Sequence, residues 1–132
     1  MVREPAGSEA KKLVDAARWL YGGGPAYCRA CRKTRGEDSQ CEPCEKPEIW
    51  PEHQHALQVF VACQTQWRTG GLGGVIGLDY CAVAQVMRWQ GVPVRRRADV
   101  WQDVQVLEAE ALAVFREHQK STQDRQGGAA RL

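Results

Sequence analysis

The sequence predicts an all-α fold, a small bundle of about four helices with a short four-cysteine zinc knuckle between the first and the second. Three observations predict it. Apolar residues recur at steps of three and four in separate stretches, the mark of helices with one face turned to a core. No stretch shows the period-two alternation of a half-buried strand. Finally, two C-x2-C pairs fall in the segment 25–48, which has hardly any apolar side chain to bury.

The first helix runs from Ser8, a residue type suited to an N-cap, with Leu13, Ala16, Ala17 and Leu20 on one face. Gly22-Gly23-Gly24-Pro25 ends it, because glycine and proline give up helical propensity. Pro51 suits the first turn of a second helix, and Glu52 complements its positive end. Ala56, Val59, Phe60, Cys63 and Trp67 continue that helix's face, and packing is their expected role. The glycines between Thr69 and Gly77 read as a flexible connector. They lack the Gly-Lys-Ser/Thr ending of a phosphate-binding loop and the spacing of a dinucleotide fingerprint.

Asp79 is the expected N-cap of a third helix, with Leu78 before it placed to staple against Val83, and Gly91 is its expected C′ residue. Asp99 with Gln102 resembles a capping box opening a long fourth helix. Its residues Val100, Val104, Leu107, Ala111, Val114 and His118 step 4, 3, 4, 3, 4. That spacing fits a bundle seam or a coiled-coil face, and the bundle is the favoured reading. Residues 121–132 have neither periodicity nor apolar mass and are expected to be disordered. The chain therefore reads as one helical domain over residues 1–120 with a C-terminal tail.

Composition narrows the function. The 132 residues are 43% hydrophobic and include five tryptophans, enough for a core of their own. A net charge of +2, from 18 Lys+Arg against 16 Asp+Glu, is too small to supply the phosphate attraction on which nucleic-acid binders rest. No apolar run approaches the ~20 residues that span a bilayer. Met1 to Glu9 has no apolar core of a secretory signal, so a reducing cytoplasm is the expected compartment.

In that compartment cysteines serve more often as metal ligands or buried hydrophobes than as disulfides. Cys28 and Cys31 pair with Cys41 and Cys44 as a candidate tetrahedral zinc site, each C-x2-C turn aiming two sulfurs at one ion about 2.3 Å away. Four thiolates leave no open position for water or substrate, so the zinc is expected to be structural. Redox disulfides would need a thioredoxin-like βαβ setting, which the pattern does not offer. Cys63 and Cys81 read as small buried hydrophobes, His53 and His55 as exposed, and Glu108 and Glu110 as a solvated helix face. No nucleophile with a base, carboxylate pair or open metal site can be assembled, so the chain does not read as an enzyme.

Residues 49 to about 115 resemble a family of small phage proteins of unknown biochemical activity, encoded in the tail-gene cluster of long-tailed bacteriophages and prophages. Ile49-Trp50-Pro51-Glu52, Phe60, Gln64-Thr65-Gln66-Trp67-Arg68, Gly77-Leu78-Asp79-Tyr80, Gly91-Val92-Pro93 and Val104-Gln105-Val106-Leu107-Glu108 carry the resemblance. It implies an accessory role in phage tail morphogenesis like that of a tail-assembly chaperone, in the host bacterial cytoplasm with association with the virion as an alternative, and gives no catalytic residues. The zinc site is no part of it.

The expected partners are accordingly tail proteins, either the tape-measure or the tail-tube subunit, and self-association is an open alternative. Trp50, Trp67, Arg68 and Tyr80 are the candidate contacts, since aromatics and arginine dominate interface hot spots. For the three aromatics a place in the core competes and is the commoner fate. Arg95, Arg96 and Arg97 form a basic run that either lies in solvent or meets an acidic partner. The competing reading is a zinc-knuckle nucleic-acid module, with Arg88 and that run on phosphates and Trp89 or Trp101 stacking on bases.

Overall fold

In the computed structural model residues 7–24, 26, 29–30, 49–71 and 74–130 are described. Helix α1 spans Gly7–Tyr21, α2 Pro51–Ala62, α3 Tyr80–Trp89 and α4 Arg97–Ala130. A two-stranded hairpin, β1 Trp67–Thr69 and β2 Val75–Leu78, lies between α2 and α3, and a 3-10 turn, Val94–Arg96, leads into α4. The four cysteines of the expected knuckle lie outside the described residues.

The organising element is α4. Val100, Val104, Leu107, Ala111 and Val114 are all buried, so five of the expected seam positions face the core. Both α1 and α2 pack on that seam, α1 through Leu13 and Ala17, α2 through Ala56, Val59 and Phe60. The chain fills its own seam, which makes it a bundle face. His118, the last residue of the series, is exposed. The helix also begins earlier than expected: it starts at Arg97, and Asp99 sits in its first turn, where its charge complements the dipole.

The punctuation is largely as the sequence dictates. Pro51 opens α2. Asp79 caps α3, its Oδ1 accepting from the backbone N–H of Cys81 at 2.9 Å and of Ala82 at 3.3 Å. Gly91, at φ +72°, ends it. Val92 N donates to Met87 O at 3.0 Å and Gly91 N to Arg88 O at 3.1 Å, the paired bonds of a Schellman turn. Only a residue that tolerates a left-handed backbone closes that turn without strain. Helix α2 ends at Ala62, just before Gln64 bends back so that its Nε2 donates to Phe60 O at 2.7 Å. Trp67 is therefore the first residue of β1 and not part of the α2 face.

The hairpin corrects the all-α expectation and the flexible connector. Trp67 pairs with Leu78, Arg68 with Gly77 and Thr69 with Val75, with a bulge between Arg68 and Thr69. Strands of three and four residues are too short to show a period of two, so the alternation test could not see them. An isolated hairpin is marginal in water. This one docks on α4: Leu78 is buried, and its backbone N–H donates to Glu108 Oε2 at 2.7 Å.

The C-terminal tail differs as well. Helix α4 runs on to Ala130 through the stretch expected to be disordered. Residues 116–128 are all exposed. No proline interrupts the segment, and an established helix gains one hydrogen bond for each residue it adds. Thr122 Oγ1 also donates to His118 O at 3.0 Å.

Candidate functional site

The candidate contacts of the sequence analysis do not converge on one surface. Trp50 is the half-buried N-cap residue of α2. Trp67 is also half-buried, its ring edge-to-face with Phe115 at 5.3 Å and with Phe60 at 6.2 Å. Tyr80 opens α3 with its ring 4.6 Å from that of Trp101. Burial, and then the neighbouring Glu108 carboxylate, push its hydroxyl well above the ordinary tyrosine range. Arg68 is exposed on β1. Trp67 and Tyr80 thus brace the core, and all three aromatics present part of their surface.

The basic run divides. Arg95 is exposed, whereas Arg96 Nη2 donates to Glu52 O and Arg97 Nε to Val92 O, each at 3.2 Å. Arg97 therefore braces the α3–α4 turn and Arg96 ties that turn to the first turn of α2, roles that the sequence run alone did not reveal. Around the same turn stand the most exposed large apolar residues, Trp89 at 85% and Val94 at 76%. Trp89 follows the exposed Arg88 at the end of α3.

Three further readings are corrected. His53 is buried, at 5% exposure, and its Nδ1 lies 2.9 Å from Asp103 Oδ2. An ionised carboxylate only accepts, so it selects the tautomer with the proton on Nδ1. The pair ties the first turn of α2 to the middle of the seam helix. The missed signal was spacing: His53, Ala56 and Phe60 step 3 and 4 on one face. His55 is exposed, as expected.

The acidic pair is not a solvated face either. Glu108 is half-buried against the hairpin, and Glu110 meets Arg18 of α1. Arg18 also reaches Glu117 at 3.1 Å, and the hydrogen bond to Glu117 and the charge of Glu110 hold its guanidinium more firmly protonated. Last, Cys81 is exposed while Cys63 is buried. Cys81 precedes Val83 by two positions, which on a helix puts it nearly opposite the core face. Burial pushes the Cys63 thiol up, away from reactive thiolate.

Among the described residues, no three His, Cys, Asp or Glu side chains are gathered as a metal site, and no helix is long and apolar enough to cross a membrane. Between α3 and the first turns of α4 runs an open groove of about 590 Å³, lined in part by Met87, Arg97 and Trp101.

Residues 33–115, well over half of the chain, match the family described as phage related hypothetical protein (DUF1799). The chain belongs to that family. It is thus a phage-related protein, and the DUF1799 match runs through α2, the hairpin, α3 and the packed part of α4, closing at Phe115, where burial along the helix gives out. The DUF1799 region takes in Cys41 and Cys44 but not Cys28 and Cys31. No curated protein and no solved structure matches the chain.

Proposed function

We propose that this DUF1799 protein is an accessory factor of phage tail morphogenesis that works in the host cytoplasm by binding other proteins, in the manner of a tail-assembly chaperone, and not by catalysis. The observation that carries the reading is Trp89, 85% exposed at the end of α3 beside Arg88. A tryptophan held in water on a small domain forgoes the burial its ring would gain in the core, and Trp and Arg are the residues most enriched at interface hot spots. Membership of a phage-related family supports the setting. The partner is a tail component, the tape-measure or tail-tube protein.

The test is capture of the tagged chain from phage-infected cells, with mass spectrometry of what accompanies it. A tail component retained by the wild type and lost with Trp89→Ala is the expected result. Nucleic acid held in place of protein, with affinity falling steeply as salt rises, overturns it.

We propose in addition that Cys28, Cys31, Cys41 and Cys44 hold one structural zinc. The support is the donor set itself, four thiols in two C-x2-C turns within a segment poor in apolar residues. Native and denaturing mass spectrometry should find one zinc in the wild type and none in the Cys28→Ser, Cys31→Ser variant. A wild type without metal removes the site.

A further inference from the structure

The groove between α3 and α4 has a chemistry that its surroundings define. Its lining is mainly apolar, Ala84 and Met87 on α3 with Ala98 and Trp101 on α4, and its polar members are Arg97, Gln102 and Gln105. Arg88 lies one turn beyond Ala84 on the same side of α3 and is exposed. From Tyr80 to Ala98 the chain carries four arginines, Arg88, Arg95, Arg96 and Arg97, and no acidic residue. Of the nearby acids of α4, Asp103 is engaged by His53 and Glu108 by Leu78 N, which leaves Asp99 in the first turn as one carboxylate against these four arginines. Arg88, Arg95 and Arg97 form no ion pair among the described residues. Arg97 is also held in place, its Nε donating to Val92 O, so a ligand would not have to order its stem.

We infer that this groove takes an acidic amphipathic helix of a partner protein. Its apolar stripe would lie over Met87 and Trp101, and its carboxylates would meet Arg97 and Arg88. The inference rests on the protein-binding reading above and supplies the chemistry of the partner. Size speaks for a single helix over a second copy of this chain: seven residues line the groove, against roughly 20–30 a side in a stable dimer. Charge speaks for an acidic one, because a basic helix would bring like charges together in a partly desolvated cleft.

The test uses the full chain and two fluorescein-labelled helical peptides that share one leucine stripe, one flanked by glutamates and the other by lysines. Fluorescence anisotropy at low salt is expected to show the glutamate peptide binding at least about tenfold more tightly, with the difference shrinking as salt screens it. Arg97→Glu should erase that preference. Because Arg97 also braces the turn, Arg88→Gln, at an exposed position, serves as the second variant and should cut it severalfold with the melting temperature within about 2 °C of wild type. Ala98→Trp, which fills the groove, should abolish binding of the glutamate peptide.

Equal binding of the two peptides, no binding of either, or self-association of the chain that Ala98→Trp removes would each overturn the inference. Capture of a tail component by the Ala98→Trp chain as well as by wild type overturns it too, while leaving the tail-assembly reading intact. Peptide discrimination as expected with no tail component captured leaves the groove assignment standing and removes that reading.

Discussion

The two halves of α4 are one continuous helix with two different reasons for being helical. From Arg97 to Phe115 a stripe of Val100, Val104, Leu107, Ala111 and Val114 is buried under α1 and α2. From Arg116 to Gly128 every residue is exposed, and among the described residues the segment is tied to the body by the ion pair of Glu117 with Arg18. The first half is held by tertiary burial, the second by propagation from the first. Helical geometry alone therefore does not measure local stability, which follows what covers the helix.

The largest expected effect comes from breaking the covered half. Leu107→Ala removes a fully buried side chain from the middle of the seam, and should lower the unfolding free energy by about 3 kcal/mol in a urea titration. Gln119→Ala, on the exposed half, should stay within about 0.5 kcal/mol of wild type. Equal losses from the two would undo the distinction. Next comes the tie between α2 and the seam: Asp103→Ala strands the buried His53 ring and should cost about 2 kcal/mol in the same titration.

Alkaline pH sharpens the comparison from another side. Burial raises the Tyr21 hydroxyl from 10 to about 12, and Tyr80 is pushed up as well. Below pH 10 both phenols are protonated in folded and unfolded chains alike, and the pH exerts no pull through them. Between pH 10 and 12 the unfolded chain gives up its tyrosine protons while the folded one keeps that of Tyr21, so stability falls as pH rises. The urea midpoint should drop between pH 9 and pH 11, and Tyr21→Phe should flatten the drop. The smallest effect is expected on deleting residues 119–132: a melting temperature within about 2 °C of wild type, with the same alkaline profile. A markedly larger loss would mean that the exposed half contributes to the core.

How much of this was legible beforehand follows from element length and from what a charged residue faces. The seam of α4, the buried face of α2, the Asp79 cap and the Gly91 terminus were readable because each repeats over several turns or rests on one residue with one conformational talent. The hairpin was not, because three paired positions carry too little periodicity and its stability comes from Glu108, 30 residues further on. Charge misled in the same way. His53, Glu108 and Glu110 were read as solvated by residue type, yet each lies near a buried face and finds its partner on a distant element. Of the candidate contacts, Arg68 and Arg95 are exposed, as a charged side chain next to a core tryptophan and a basic run before a helix suggest, whereas Trp89 enters the sequence reading only as a base-stacking alternative. A residue type says what a side chain can bind, and only the assembled helices say which side it is left on.

The contact between Arg18 and Glu117 joins positions 99 apart in sequence. Once α1 and α4 have met, almost the whole chain is one closed loop, and the entropy of closing such a loop rises only as the logarithm of its length, about 0.6 kcal/mol for each doubling. Inserting or removing residues between α1 and α2 therefore changes that closure term little. A connection of very different length at that point would still let the same two helices meet.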